Sequence, residues 1–346
     1  MKILKTICLF LLIPSLSGQV WAGSNRELVI MSHDSFNVSE GIVAKFETAN
    51  NVKLRFLKAG DAGAALNQAI LTKNNPMADV FFGVDNTFMS RGLDAGIFEP
   101  YASPMLGNID DALKLDPEFR LIPVDFGDVC LNYDKKWFSS HDIPPPTDMA
   151  DLIKPVYKGL TVVENPATSS PGLAFLLATI GRFGDPGYLD FWKELKANDV
   201  LVTNGWEDAY WGQFSAASEG KRPIVVSYAS SPPAEVHFAK TPISEPPTAA
   251  VVENKSAFRQ IEFIGILKGT KKRPLAEKLI DFMLDRPFQE DIPLQMFVFP
   301  ANRTAVLPEV FKKHAKISVA PVSVDPERIS ANRDKWIQSW TELVLR

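Results

Sequence analysis

A regular alternation of strand-like and helix-like segments near the start of the chain limits the folds that it can adopt. "ELVIMS", "NVKLRFLKAG" and "ADVFFGVDN" are rich in apolar and β-branched residues and predict three strands. Between them, "SEGIVAKFETAN" carries Ile42 and Phe46 at helical spacing behind a candidate N-cap, Ser39, and "DAGAALNQAILTKN" predicts a second helix. A β-α-β-α-β order is typical of an α/β protein with a mostly parallel sheet covered by helices.

The same pattern returns after a long strand-like stretch, "LIPVDFGDVCLNYDKKW", which we expect to carry the chain into a second lobe. There the strands are predicted at "GLTVVEN", "DVLVTN" and "RPIVVSYASS", and the helices at "GLAFLLATIGRFG", "GYLDFWKELKAND" and "EDAYWGQFSAASEG". "RQIEFIGILKG" predicts a return strand near 258–268. We therefore expect lobe 1 over 23–125 with 258–305, lobe 2 over 126–257 with the C-terminal helices of 306–346, and a clamshell that closes on a solute.

The first 22 residues, "MKILKTICLFLLIPSLSGQVWA", predict where the protein is located. Lys2 and Lys5 precede a short apolar run, and small residues stand before a cleavage point after Ala22. This arrangement is typical of a cleavable secretion signal, so residues 1–22 are predicted to be removed and the product to lie outside the cytoplasm. Cleavage leaves Cys130 alone in the apolar "DVCLNY", where we expect a buried packing residue.

Polar side chains follow each of the first three predicted strands. They are His33 and Asp34 after the first, Asp61 after the second, and Asp85 at the end of the third. Ligands bind beyond the carboxyl ends of the strands in such sheets, so these residues are candidates for a binding site, and the acids favour a cation. The alternative for each of them is an ordinary helix cap.

A second candidate is "NPATSSPGLAF", which places Ser169 and Ser170 at a helix start. Backbone N–H groups there attract anions, although capping alone also explains hydroxyl residues at this position. Four aromatic residues stand at the ends of predicted elements: Trp206, Tyr210, Tyr228 and Phe297. For each of them, packing in the core is the alternative to a role in binding. Because aromatic faces stack on flat rings and attract cations, the set fits a flat, cationic ligand whose polar tail meets the hydroxyl cluster.

Other function classes lack their sequence signals. The chain has no GxSxG, HExxH, GxGxxG or P-loop motif and no closely spaced histidines, so neither an enzyme nor a bound cofactor or metal is predicted. A net charge of −4 gives no basic footprint for nucleic acid. A secreted enzyme and a ligand-sensing module docked to a membrane kinase remain the rival hypotheses.

Several of these motifs together resemble one known family. "SHDSF", "GDAG", "GVDN", "NPATSSPGL", "NGWEDAY", "VVSYASSP" and "FVFPANRTAVLP" follow one another, over about residues 28–340, as in the thiamine-binding periplasmic proteins of ABC importers. The resemblance implies a type II periplasmic binding fold, with two lobes of mixed, mostly parallel sheet joined by crossover hinge strands. It also implies a monomeric receptor that captures thiamine or a thiamine phosphate and delivers it to a membrane permease.

The resemblance further implies roles for single residues. Asp61 would face the thiazolium or the pyrimidine, Ser169 or Ser170 the hydroxyethyl or phosphate end, and Trp206 and Tyr228 would wall the cleft. Where the family usually has tyrosine and tryptophan, this chain has His33 and Phe297. A polyamine and a phosphonate therefore stay open as ligands, whereas Ala229 after Tyr228 disfavours the adjacent tyrosine pair of ferric carriers.

Overall fold

The computed structural model describes residues 26–346, so the predicted signal peptide lies outside the described residues. The first half of the fold has the predicted β-α-β-α-β order, and its three strands, Glu27–Ser32, Lys53–Lys58 and Val80–Asp85, are all parallel, with the first strand between the other two. Helices follow each strand. The elements are β1 (Glu27–Ser32), α1 (Glu40–Asn50), β2 (Lys53–Lys58), α2 (Ala62–Leu71), β3 (Val80–Asp85), α3 (Met89–Asp94) and β4 (Phe98–Glu99).

Two long strands connect this half to the second one. β5 (Ile122–Asp134) pairs antiparallel with β10 (Phe258–Leu267) along its first part, and β10 in turn pairs with β3. From Val129 onward, β5 pairs instead with strands of the second half. These are the crossing strands that the sequence predicts, and the predicted boundary between 125 and 126 falls inside β5.

The second half repeats the three-stranded parallel unit in the order β8-β6-β7. Its helices α5 and α6 pack on each other and supply much of its core. The elements are α4 (Lys135–Ser140), β6 (Thr161–Glu164), α5 (Ser170–Phe183), α6 (Gly187–Ala197), β7 (Leu201–Thr203), β8 (Ile224–Tyr228), α7 (Ser231–His237) and β9 (Thr248–Val251).

The chain then returns through β10 and ends in helices. The remaining elements are α8 (Arg273–Leu284), α9 (Arg286–Gln289), α10 (Ile292–Gln295), β11 (Phe299–Pro300), α11 (Glu309–His314) and α12 (Pro326–Val344). Helix α12 lies mainly on α6, where Trp340 meets Trp192 at a ring distance of 5.4 Å. Its Arg333 also reaches the first half, 5.5 Å above the ring of Phe88. No helix among residues 26–346 is both long and apolar enough to span a membrane.

Two local predictions differ from the structure. The segment "EDAYWGQFSAASEG" is helical only in its first half, where it forms one π-helical turn, Asp208–Gln213. The chain then leaves the helix and pairs at Arg222. Gly220 lies so close to the Gln213 backbone that a Cβ there would stand 2.0 Å from its carbonyl oxygen, and this crossing ends the turn. Strand β9 was not predicted, and it adds to the edge of β5. Cys130 is buried and free, as expected.

Candidate functional site

A pocket that opens to solvent lies between the two halves and holds about 610 Å³ of space between protein atoms, the solvent at its mouth included. Strand ends and helix starts of both halves contribute to it, which places it at the edge where ligands of open α/β sheets bind. Its lining residues are His33, Ser35, Asp61, Ala62, Ser170, Pro171, Trp206, Tyr210, Trp211, Tyr228, Ser231, Ala234, Gln260, Glu262, Met296, Phe297 and Val298.

Seven of the ten site residues predicted from the sequence meet at this cavity. They come from six separate segments of the chain, so the fold brings together residues that are far apart in the sequence. The seven are His33, Asp61, Ser170, Trp206, Tyr210, Tyr228 and Phe297.

The other three predicted residues do not line the cavity, because backbone N–H groups take up their side chains. Asp34 is exposed, and its carboxylate accepts a hydrogen bond from Gly60 N at 3.0 Å. Ser169 is buried as the N-cap of α5, with its hydroxyl 3.4 Å from Gly172 N. Asp85 is fully buried and accepts hydrogen bonds from Thr87 and Phe88. For these residues the capping alternative describes the contacts.

The N-terminus of α5 already has an anion, and it is a carboxylate of the protein itself. Asp61 Oδ2 accepts a hydrogen bond from Trp206 N at 3.0 Å, and Oδ1 lies 2.6 Å from Ala62 N and 3.4 Å from Ser170 N. Asp61 belongs to the first half of the fold, while Trp206 and Ser170 belong to the second. Its carboxylate therefore ties the two halves together beside the cavity.

The predicted hydroxyl cluster is consequently smaller than expected. Thr168 Oγ1 donates a hydrogen bond to Asn204 O at 2.6 Å, and the Ser169 hydroxyl caps α5. Only the Ser170 hydroxyl among the three lines the cavity, and it is buried without a hydrogen-bond partner. The turn before α5 thus uses two of the three hydroxyls, and Ser170 is the one that faces the cavity.

Aromatic side chains from the second half form one wall of the cavity. Trp206 stacks on Tyr210 at a ring distance of 4.9 Å and an interplanar angle of 22°, and its Nε1 donates to Ser227 Oγ at 2.9 Å. The Tyr228 hydroxyl donates to Gln260 Oε1 at 2.9 Å. Because the polar atoms of these rings are held by the protein, the ring positions are fixed.

Phe297 lines the cavity and has an unusual backbone conformation. Its φ of 56° is in the left-handed region, which costs a phenylalanine about 1–3 kcal/mol. Ser230 of the second half donates a hydrogen bond to its carbonyl at 2.6 Å, and its ring meets Phe238 edge-on at 5.2 Å. Phe297 thus links the two halves as Asp61 does.

His33 lies buried at the end of β1 against an acidic residue. Its Nε2 stands 3.2 Å from Glu262 Oε1, an ion pair without the alignment of a hydrogen bond. Burial lowers the pKa of His33, but the charge of Glu262 and those of Asp61 and Asp34 leave it raised. The imidazole fits only because residue 83 is glycine, where a Cβ would stand 2.3 Å from His33 Cδ2.

Three carboxyl groups stand side by side beneath His33. Glu262 of β10 is directly opposite Asp85 of β3 and Asp125 of β5, and we call these three residues the acid row. Directly opposed residues share a face of the sheet, and like charges there repel. Burial raises the pKa of Asp85 to about 7, and burial together with Glu262 holds the pKa of Asp125 well above its usual value.

Sequence reasoning missed two polar residues of β10, Gln260 and Glu262, which both line the cavity. In "FRQIEFIGIL" they alternate with Ile261 and Phe263, which are buried among apolar residues. That period-two pattern is the signal that could have found them. Across residues 26–346, no group of three or more His, Cys, Asp and Glu side chains is arranged to hold a metal ion.

Comparison with known proteins finds relatives over most of the chain. The family model described as bacterial extracellular solute-binding protein matches residues 75–319. The thiamine-binding periplasmic protein of Escherichia coli (strain K12) is 29% identical over 327 residues, which cover 92% of this chain and 94% of that protein.

Solved structures also match over nearly the whole chain. A periplasmic thiamin binding protein superposes with a TM-score of 0.80 at 26% identity and covers 92% of this chain and 96% of its own. The ferric binding protein from Campylobacter jejuni gives a TM-score of 0.74 at 19% identity, covering 91% and 99%, so it is similar in fold. These matches identify the two-lobed type II periplasmic binding fold.

Proposed function

Because the chain belongs to the family of bacterial extracellular solute-binding proteins, we propose that it captures thiamine or a thiamine phosphate in the cavity between its two halves. It is a periplasmic protein, as are its relatives. The observation that carries the proposal is the pairing of an aromatic wall, with Trp206 at its centre, with buried acids on the floor.

The chemistry of thiamine suits both surfaces. Its thiazolium is a flat ring with a permanent positive charge, and a cation over an aromatic face gains about 0.5–2 kcal/mol. The lining carboxyl groups, Asp61 and Glu262, add an attraction for positive charge that grows when the cavity excludes water. The hydroxyl of Ser170, which has no hydrogen-bond partner, is available for the hydroxyethyl end of thiamine. A phosphate on that end would have to extend away from Asp61 and Glu262.

The alternative ligands fit less well. A phosphonate would meet Asp61 and Glu262, and none of the lining residues is lysine or arginine. A polyamine satisfies the acids but leaves the flat faces of Trp206 and Tyr228 without a matching ring. For ferric ion, Tyr228 is followed by Ala229 rather than by a second tyrosine.

Capture would proceed by closure of the two lobes. Asp61 and Phe297 each form hydrogen bonds between the halves, and these exist only when the halves are together. Ligand contacts from both sides add to them, so ligand shifts the population toward the closed form. We further propose that the protein acts as a monomer, without catalysis, and hands its ligand to the membrane permease of an ABC importer.

Calorimetric titration tests the proposal. The mature protein is unfolded and refolded to remove carried ligand, and thiamine, thiamine monophosphate and thiamine pyrophosphate are then added, with spermidine and a phosphonate as comparisons. We expect submicromolar binding of at least one thiamine compound. Binding of spermidine or the phosphonate in preference to all three would reject thiamine, and turnover of any of them would favour the secreted enzyme.

A further inference from the structure

Of the two acids that line the cavity, Glu262 is the one without hydrogen bonds from backbone N–H groups. Asp61 also lines the cavity, but Trp206 N and Ala62 N donate hydrogen bonds to both of its oxygens. Glu262 has polar neighbours of another kind: His33 at 3.2 Å and the carboxyl of Asp125 on the next strand. Neither of these satisfies the whole carboxylate, so Glu262 can accept from a donor in the cavity or face its positive charge.

Without a ligand in the cavity, it is electrostatically unfavourable for all three carboxyl groups of the acid row to be charged. Asp85 is 0% exposed and Asp125 is 1% exposed. Neither oxygen of Asp125 and only one oxygen of Asp85 has a hydrogen-bond partner. Three opposed carboxyl groups cannot all be charged unless a positive charge lies close to them. His33 supplies part of that charge, and a cationic ligand above Glu262 would supply more.

We propose that Glu262 selects for a positively charged ligand, that His33 and Asp125 are positioning residues that hold it, and that capture of the cation releases protons from this cluster. The inference rests on the function proposed above and adds to it the residue that distinguishes a positively charged ligand from an uncharged one. It predicts that affinity for a cation rises with pH, while affinity for an uncharged ligand of the same shape does not.

The sign follows from the groups around Glu262. In the ligand-free state, protonated Asp85, Asp125 and His33 relieve the repulsion, and an arriving cation makes each protonated form less favourable. Protons therefore leave as the ligand binds, and affinity rises up to about tenfold per pH unit for each proton released. The other titratable or charged groups that act on this cluster are Asp34, Asp61, Glu164, Tyr228 and Arg333.

The test compares thiamine with deazathiamine, in which a neutral thiophene replaces the thiazolium, across about pH 5 to pH 8. Both are titrated into the wild type, Glu262→Gln, Glu262→Asp and the control Glu253→Gln, which changes an exposed acid outside the cavity. We expect Glu262→Gln to weaken thiamine binding about 10- to 100-fold. The variant should also show a smaller preference for thiamine over deazathiamine and a weaker pH dependence of its affinity for thiamine. Glu262→Asp should keep part of the preference, because it keeps the charge.

The outcomes separate this inference from the function proposed above. If the wild type binds thiamine and Glu262→Gln keeps the same preference and pH dependence, the role of Glu262 is wrong and the thiamine receptor stands. If the wild type binds spermidine but not thiamine, the thiamine proposal is wrong. If Glu262→Gln then no longer binds spermidine, the role of Glu262 stands. If no cation binds, both are rejected. Unfolding curves of every variant show whether the cavity is intact, and Glu262→Asp carries the test if Glu262→Gln does not fold.

Discussion

Asp61→Ala should weaken ligand binding more than it weakens the fold. The carboxylate of Asp61 does two things that can be measured separately. As the N-cap of α2 it accepts from Ala62 N, and between the two halves it accepts from Trp206 N at 3.0 Å. The cap stabilises the first half by itself, whereas the bond to Trp206 exists only in the closed form.

The two losses differ in size and in the quantity that they change. Removal of an N-cap costs about 0.5–2 kcal/mol of the free energy of unfolding. A hydrogen bond to a charged group contributes about 1.5–3 kcal/mol, and its loss from the closed form lowers affinity roughly 10- to 100-fold. The weaker contact of Asp61 with Ser170 N, at 3.4 Å, adds little.

Asp325→Ala is the matched control, because Asp325 caps α12 through Glu327 N and Arg328 N and lies away from the cavity. Calorimetry gives the affinity for thiamine, and guanidinium unfolding gives the stability. We expect both variants to lose similar stability and only Asp61→Ala to lose affinity. Equal affinities in the two variants would refute the account of Asp61 as a tie between the halves.

Two further substitutions test the wall and the floor of the cavity. Trp206→Ala removes the stacked ring and should weaken thiamine binding about tenfold, while the circular dichroism spectrum stays unchanged. An unchanged dissociation constant for thiamine would mean that the ligand binds elsewhere. Folding raises the pKa of Asp85 from 3.8 to about 7. Between these two pH values the unfolded state releases the proton while the folded state keeps it, so the free energy of unfolding of the wild type falls as pH rises, by up to about 4 kcal/mol. Asp85→Asn should flatten the curve of unfolding free energy against pH, and parallel curves would contradict the burial argument.

Much of the fold could be predicted because its strands and helices have clear periodicities. β1 and β3 are buried, nearly continuous apolar runs, β10 alternates polar with apolar residues in its first half, and each strand appears where the sequence predicts it. The π-helical turn at Asp208–Gln213 could not be predicted, because it ends where the chain packs back on itself, with Gly220 against the Gln213 backbone, and residue periodicity does not reveal that contact. Strand β9 escaped for a similar reason: it exists through its pairing with β5.

The candidate site was predicted less completely than the fold. Residues at strand ends and helix starts were found, because topology brings such positions to one edge of a sheet. What the sequence could not supply is which donors each side chain meets: Asp61 is held by Trp206 N of the other half, and Ser169 by its own helix. Glu262 was missed because its importance depends on the register that sets it beside Asp85 and Asp125.

The crystal structure of the mature protein grown with thiamine tests the central claim most directly. The account predicts one thiamine in the cavity between the halves, with a ring against the wall of Trp206 and Tyr228 and its positive charge on the side of Glu262. Thiamine bound at another surface, or a cavity without thiamine at saturating concentration, would contradict it.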